Sequence, residues 1–110
     1  MAMDSKLLAA VNDEARWNAS EALAGVGTFG LEHISGTWTV VFEARVRGSA
    51  DTAWVQVQAA NLNTGALAVT TTNAITVSLW RLDLSGQLEV RVRVTASTGS
   101  VRIYPGVSLG

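Results

Sequence analysis

A chain of 110 residues makes one domain, with no cysteine for disulfides or thiolate chemistry and a net charge of −1 from 8 basic and 9 acidic side chains. That balance argues against a nucleic-acid partner, which asks for a basic excess, and no apolar run approaches the length of a membrane span. Charged residues are only 15% of the chain, against about 25% in ordinary domains, while hydrophobic ones reach 48% and Lys6 is the single lysine.

Residues 5–24 read as an amphipathic helix. Ser5 stands at a capping position, and Leu7, Leu8, Val11 and Ala15 fall at helical spacing. Asn12, Asp13, Glu14 and Arg16 take the other face, and no glycine interrupts before Gly25-Val26-Gly27. The expected unit is a helical arm over residues 1–27. Its apolar stripe cannot be buried alone, so Leu7, Leu8, Val11 and Trp17 become candidates for docking on a neighbour. Deleting the arm is expected to leave the rest folded. Leu7–Val11 is too short for the apolar region of a signal peptide, so no targeting segment is expected.

Residues 28–110 read as strands and turns. Thr28–Ser35 is a first strand. Trp38, Val40, Phe42, Ala44 and Val46 then alternate with Thr39, Val41, Glu43, Arg45 and Arg47, and Gly48-Ser49-Ala50-Asp51 turns the chain. Trp54–Ala60 follows as a strand with Val55, Val57 and Ala59 in phase, then a turn over Asn61–Gly65. Leu67, Val69 and Thr71 mark another strand. After Asn73, Ile75, Val77 and Leu79 mark the next, and Leu84-Ser85-Gly86-Gln87 turns into the last pair.

That last pair alternates most strictly. Leu88–Ala96 and Val101–Tyr104 read as a hairpin turning at Thr98-Gly99, with Val94 opposite Ile103, Val92 opposite Pro105 and Arg93 opposite Tyr104. About seven strands at this spacing predict an all-β fold, an antiparallel β-sandwich of Ig-like or jelly-roll-like form behind the short N-terminal helical arm. Its expected inner faces are Trp38, Val40, Phe42, Val55, Val57, Val77, Leu79, Val90, Val92, Val94, Val101 and Ile103.

The residues of catalysis are scarce. His33 is the lone histidine, and Glu32, Glu43, Asp51, Asp83 and Glu89 are dispersed without metal-ligand spacing. There is no glycine-rich phosphate loop. The reading is a protein that is not an enzyme and uses no cofactor and no metal. Surface candidates remain. Arg91, Arg93 and Arg102 share the polar face of the expected hairpin with Tyr104. They offer guanidinium groups to an acidic partner, or else form a solvated face balanced by Glu43 and Glu89. Trp54 and Trp80 fall on the polar phase of their strands and are candidate interface anchors. Gln56, Gln58 and Asn61 lie near Trp54, which keeps a sugar-stacking site as the rival reading. Low charge, outward tryptophans and uncovered edge strands predict a homo-oligomer.

One set of motifs recurs in a known order. Gly36-Thr37-Trp38, Phe42-Glu43, Asp51 with Trp54, Thr70-Thr71-Thr72, Val90-Arg91-Val92-Arg93-Val94-Thr95-Ala96 and Thr98-Gly99-Ser100-Val101 follow one another across about three-quarters of the chain. In this it resembles the small β-sandwich virion structural proteins of tailed bacteriophages. Ala44-Arg45 stands where that family often has Gly-Ser, and Thr52 replaces its turn glycine. The resemblance implies a virion structural protein without enzyme activity and leaves head, neck or tail open; the compact single domain and short arm favour a capsid decoration or head-fibre protein docking on the major capsid protein. It would be made in the host cytoplasm and carried on the outer surface of the particle. A tail or neck component, or a host-glycan-binding module, are the alternatives. A trimer would suit a three-fold site on an icosahedral shell.

Overall fold

The computed structural model describes residues 5–18, 27–46, 48–72, 77–82 and 88–104. Their strands are β1 (Lys6–Leu8), β2 (Glu14–Asn18), β3 (Gly27–Ser35), β4 (Trp38–Val46), β5 (Val55–Gln56), β6 (Ala59–Asn61), β7 (Leu67–Ala68), β8 (Thr70–Thr72), β9 (Val77–Leu82), β10 (Leu88–Ser97) and β11 (Ser100–Tyr104). They form two antiparallel sheets packed as a sandwich. One is six-stranded, in the order β1-β11-β3-β9-β6-β7; the other is five-stranded, β2-β10-β4-β5, with β8 also on β4. A 3₁₀ turn, Asp51–Ala53, precedes β5. Among the described residues there is no α-helix.

The helical arm is not found. Residues 6–8 and 14–18 are strands, one at an edge of each sheet, and residues 19–24 of the expected helix lie outside the described residues. The spacing of Leu8, Ala15 and Trp17 admits a period of two on either side of a turn, and these three are buried. The turn itself is built by polar residues. The Asp13 carboxylate accepts the Ala9 and Ala10 amides at 2.9 and 3.0 Å, and Asn12 adopts φ 74°. Tertiary pairing outweighs the helical spacing: β2 matches β10 from Asn18–Glu89 to Glu14–Arg93, and β1 matches β11.

The closing hairpin is not found either. β10 and β11 belong to different sheets, so Thr98-Gly99 is an arch between them and Val94 does not pair with Ile103. Strict alternation is equally satisfied when two strands face each other across a core, because each needs only one apolar face. Val90, Val92 and Val94 thus point inward from one sheet, and Val101 and Ile103 from the other. The β3–β4 link at Gly36-Thr37 is a second arch and the β1–β2 link a third, laid side by side with the β10–β11 arch between them. Thr98 N donates to Thr37 O at 2.8 Å, the Thr37 and Thr98 hydroxyls meet at 2.6 Å, and Asn12 N donates to Val94 O at 2.8 Å.

The expected strands 54–60 and 67–71 each break and cross between sheets, giving β5 with β6 and β7 with β8. Both crossings are pinned on one residue. Phe42 donates its amide to Val69 O and accepts from Val57 N, each at 2.9 Å. In β9 the phase is the reverse of the expected one: Ser78, Trp80 and Leu82 are buried, Leu79 is half-buried, and Val77 is 51% exposed. Burying an indole and a leucine removes more apolar area than burying Val77 and Leu79, and Ser78 Oγ accepts the Trp80 Nε1–H at 2.9 Å. Val55 opposes Ala44 on the inner phase but lies at the sheet edge, 61% exposed. The core runs as a chain of rings alternating between sheets, Trp17–Phe29–Phe42–Trp80, with centroids 5.5, 5.3 and 5.0 Å apart. The Asn73 break, Ile75, the Leu84–Gln87 turn and Pro105 lie outside the described residues.

Candidate interaction faces

The outer face of the five-stranded sheet is a checkerboard of charge. Strand register sets Arg16, Arg91, Glu43 and Gln56 in one row across β2, β10, β4 and β5. Glu14 and Arg93 stand in the next row, and Glu89 lies opposite Arg45 in the row before. Arg91 donates to Glu43 at 2.7 Å and to Glu14 at 2.8 Å. Arg93 donates to Glu43 at 3.0 Å and to Asn12 at 3.2 Å, and Arg45 to Glu89 at 2.8 Å. Glu43 is almost wholly buried under these bonds. Burial alone would raise its carboxyl, but hydrogen bonds from Arg93 and Arg91 outweigh that and hold it below the ordinary range. The same pairing raises the Arg93 guanidinium.

Trp54 closes this face. The turn after β4 brings the indole back over the sheet, where the Arg91, Arg45 and Arg16 guanidinium carbons lie 4.2, 4.6 and 5.3 Å from its ring. Such stacking stabilises by about 0.5–2 kcal/mol per contact. The sequence separates Trp54 from these arginines by 9 to 38 positions; only the register of β2, β10 and β4 collects them.

The outer face of the six-stranded sheet differs. Its central row is Leu7, Arg102, Glu32 and Val77, across β1, β11, β3 and β9. Tyr104, Gly30 and Leu79 form the adjacent row, where the absent glycine side chain leaves room for Tyr104 to lie beside Leu79. The Tyr104 hydroxyl donates to Glu32 at 2.8 Å, which raises the phenol above its usual range. Arg102 donates to Ser5 Oγ at 3.4 Å and has no carboxylate partner among the described residues.

The sequence-derived candidates therefore scatter. Leu8, Trp17 and Trp80 are core residues, buried within the chain itself. Leu7 and Val11 are exposed at the N-terminal edge. Arg91, Arg93 and Trp54 lie on one outer face, Arg102 and Tyr104 on the other, so the expected pairing of Arg93 opposite Tyr104 does not form. Trp54 and Asn61 do not share a sheet, and the Asn61 side chain accepts the Asn63 amide at 2.8 Å. His33 Nδ1 accepts the Trp38 Nε1–H at 3.0 Å near the arches. Among the described residues no three His, Asp or Glu side chains converge as a metal site would.

No protein-family model and no curated protein matches this chain. Among solved structures, the crystal structure of the SPBc2 prophage-derived protein YomS is similar, with a TM-score of 0.65 at 19% identity over 93% of this chain and 93% of that one. The likeness spans the whole sandwich, so both chains share one fold.

Proposed function

We propose that this chain is a non-enzymatic structural component of a phage particle, a capsid decoration or head-fibre protein that docks on the major capsid protein. The observation that carries the reading is the likeness to a prophage-derived protein over nearly the full length of both chains. It agrees in kind with the phage resemblance of the ordered motifs from Gly36-Thr37-Trp38 to Thr98-Gly99-Ser100-Val101. The chemistry of the faces supports docking rather than turnover. The charged side chains of the five-stranded sheet are engaged with one another, and the other face offers exposed Leu7, Val77 and Tyr104 beside Glu32, Arg102 and Arg81. The glycan-binding alternative finds less support, since three guanidinium groups lie against Trp54.

Gradient-purified particles from a host carrying the gene test the reading. Antibody-gold against this chain should decorate the head shell in many copies. Label confined to the tail or neck moves the role there, and particles that lack the protein altogether sink the proposal.

A further inference from the structure

The outer face of the six-stranded sheet carries an order that its neighbour lacks. Read across four strands, its central row is apolar, positive, negative, apolar: Leu7, Arg102, Glu32, Val77. Read backwards it is its own complement. A two-fold axis parallel to the strands, lying in the plane of contact between β11 and β3, brings each residue opposite its match in a second copy. Arg102 meets Glu32 and Leu7 meets Val77, each pair twice. Aligned sheets pack with a rotation of about 30°, so this matching holds best near the axis, where Arg102 and Glu32 stand. Exposed Tyr104 and Ile34 flank the row on either side. Within one chain, among the described residues, Arg102 has only the Ser5 hydroxyl, and Glu32 accepts from the Tyr104 phenol.

We propose that this face binds a second copy of the chain in an isologous, face-to-face dimer centred on reciprocal Arg102–Glu32 pairs. The order of charges selects the occupant, because a foreign partner needs no palindrome. The symmetry is two-fold, in place of the trimer expected from the sequence. The row spans four strands, roughly 19 Å, and about 17 Å along them, which is small beside a standard interface. The dimer therefore dissociates in the micromolar range, and it stands independently of which particle the chain serves.

Sedimentation velocity of the full chain, from low micromolar to near-millimolar concentration, reads the mass. It should move from one chain to two. Arg102→Glu alone and Glu32→Arg alone should each stay monomeric while melting cooperatively, because each sets like charges face to face. Mixed in equal amounts, the two variants should form a heterodimer, since every reversed charge then meets its opposite. If either reversal fails to fold, Arg102→Gln replaces it and should weaken the dimer about tenfold, the symmetry removing two pairs at once. A wild-type chain that stays monomeric throughout, a trimer mass, a mixture that stays monomeric, or an Arg102→Gln protein that dimerises as the wild type does would each overturn the proposal.

Discussion

Where the β10–β11 arch passes the β3–β4 arch, two glycines meet backbone to backbone. A methyl group at Gly99 would lie on the Ser35 carbonyl and within 2.6 Å of the Gly36 Cα; one at Gly36, where φ is +58°, would lie 2.7 Å from Thr98 O. Neither neighbour is a flexible side-chain end that could move aside. Around them the Thr37 and Thr98 hydroxyls meet at 2.6 Å and those of Ser35 and Ser100 at 3.0 Å, so the polar residues of both arches are satisfied by each other. Overpacking of this kind costs about 1–3 kcal/mol, and a domain of this size loses about 4–8 °C of melting temperature per kcal/mol. Gly99→Ala should accordingly melt well below the wild-type protein in a thermal scan. An unchanged melting temperature would mean that the arches do not nest as described. The sequence marks Thr98-Gly99 as a turn, but a turn residue does not reveal whether its strands pair side by side or face each other across a core.

At the level of elements, β2, β10 and β4 are tied together on their outer face by Glu43, which accepts from both Arg91 and Arg93. Because the folded-state carboxyl lies below its ordinary value of 4.5, the ionised form is the one the fold favours. That stability is present above about pH 4.5 and is lost as pH falls through the depressed folded value. Glu43→Gln leaves two part-buried guanidinium groups short of a carboxylate acceptor, so it should cost about 2 kcal/mol near neutral pH. The gap between variant and wild type should close as the solution is acidified, which denaturant titrations at a series of pH values would register. A gap that stays constant with pH would remove Glu43 as the titrating tie. How much of this was legible follows from the kind of signal involved. The alternation of β4 and of β10 predicts the buried sets Trp38–Val40–Phe42 and Val90–Val92–Val94 correctly, because each strand bears that pattern alone. Which carboxylate meets which arginine, and that Trp54 covers them, depends on pairing between strands as far apart as Glu14 and Arg91, and local spacing carries no trace of it.

For the whole molecule, the two N-terminal strands decide whether the sandwich has closed flanks. β1 edges the six-stranded sheet beside β11, and β2 edges the five-stranded sheet beside β10, so residues 6–18 complete both layers at once. The helical spacing of Leu7, Leu8, Val11 and Ala15 concealed this. A three-residue strand and a five-residue strand are too short to show their period, and the Ala9–Asp13 turn shifts the phase between them. The consequence reverses the expectation drawn from the sequence. An arm could be removed with the domain intact; an edge strand from each sheet could not. Truncation at residue 18 takes away Leu8, Ala15 and Trp17, all buried, and strips Phe29 of its Trp17 neighbour. Losing a buried tryptophan and a buried leucine alone costs roughly 5–10 kcal/mol, comparable with the whole stability of an ordinary domain of about 5–15 kcal/mol. It also bares the edges of β10 and β11, two alternating strands that would then template pairing with other chains. The truncated protein should be insoluble or lack a cooperative melt, whereas the full chain should melt in one transition by circular dichroism. A soluble truncated chain melting within a few degrees of the full-length protein would show that the sandwich does not depend on β1 and β2.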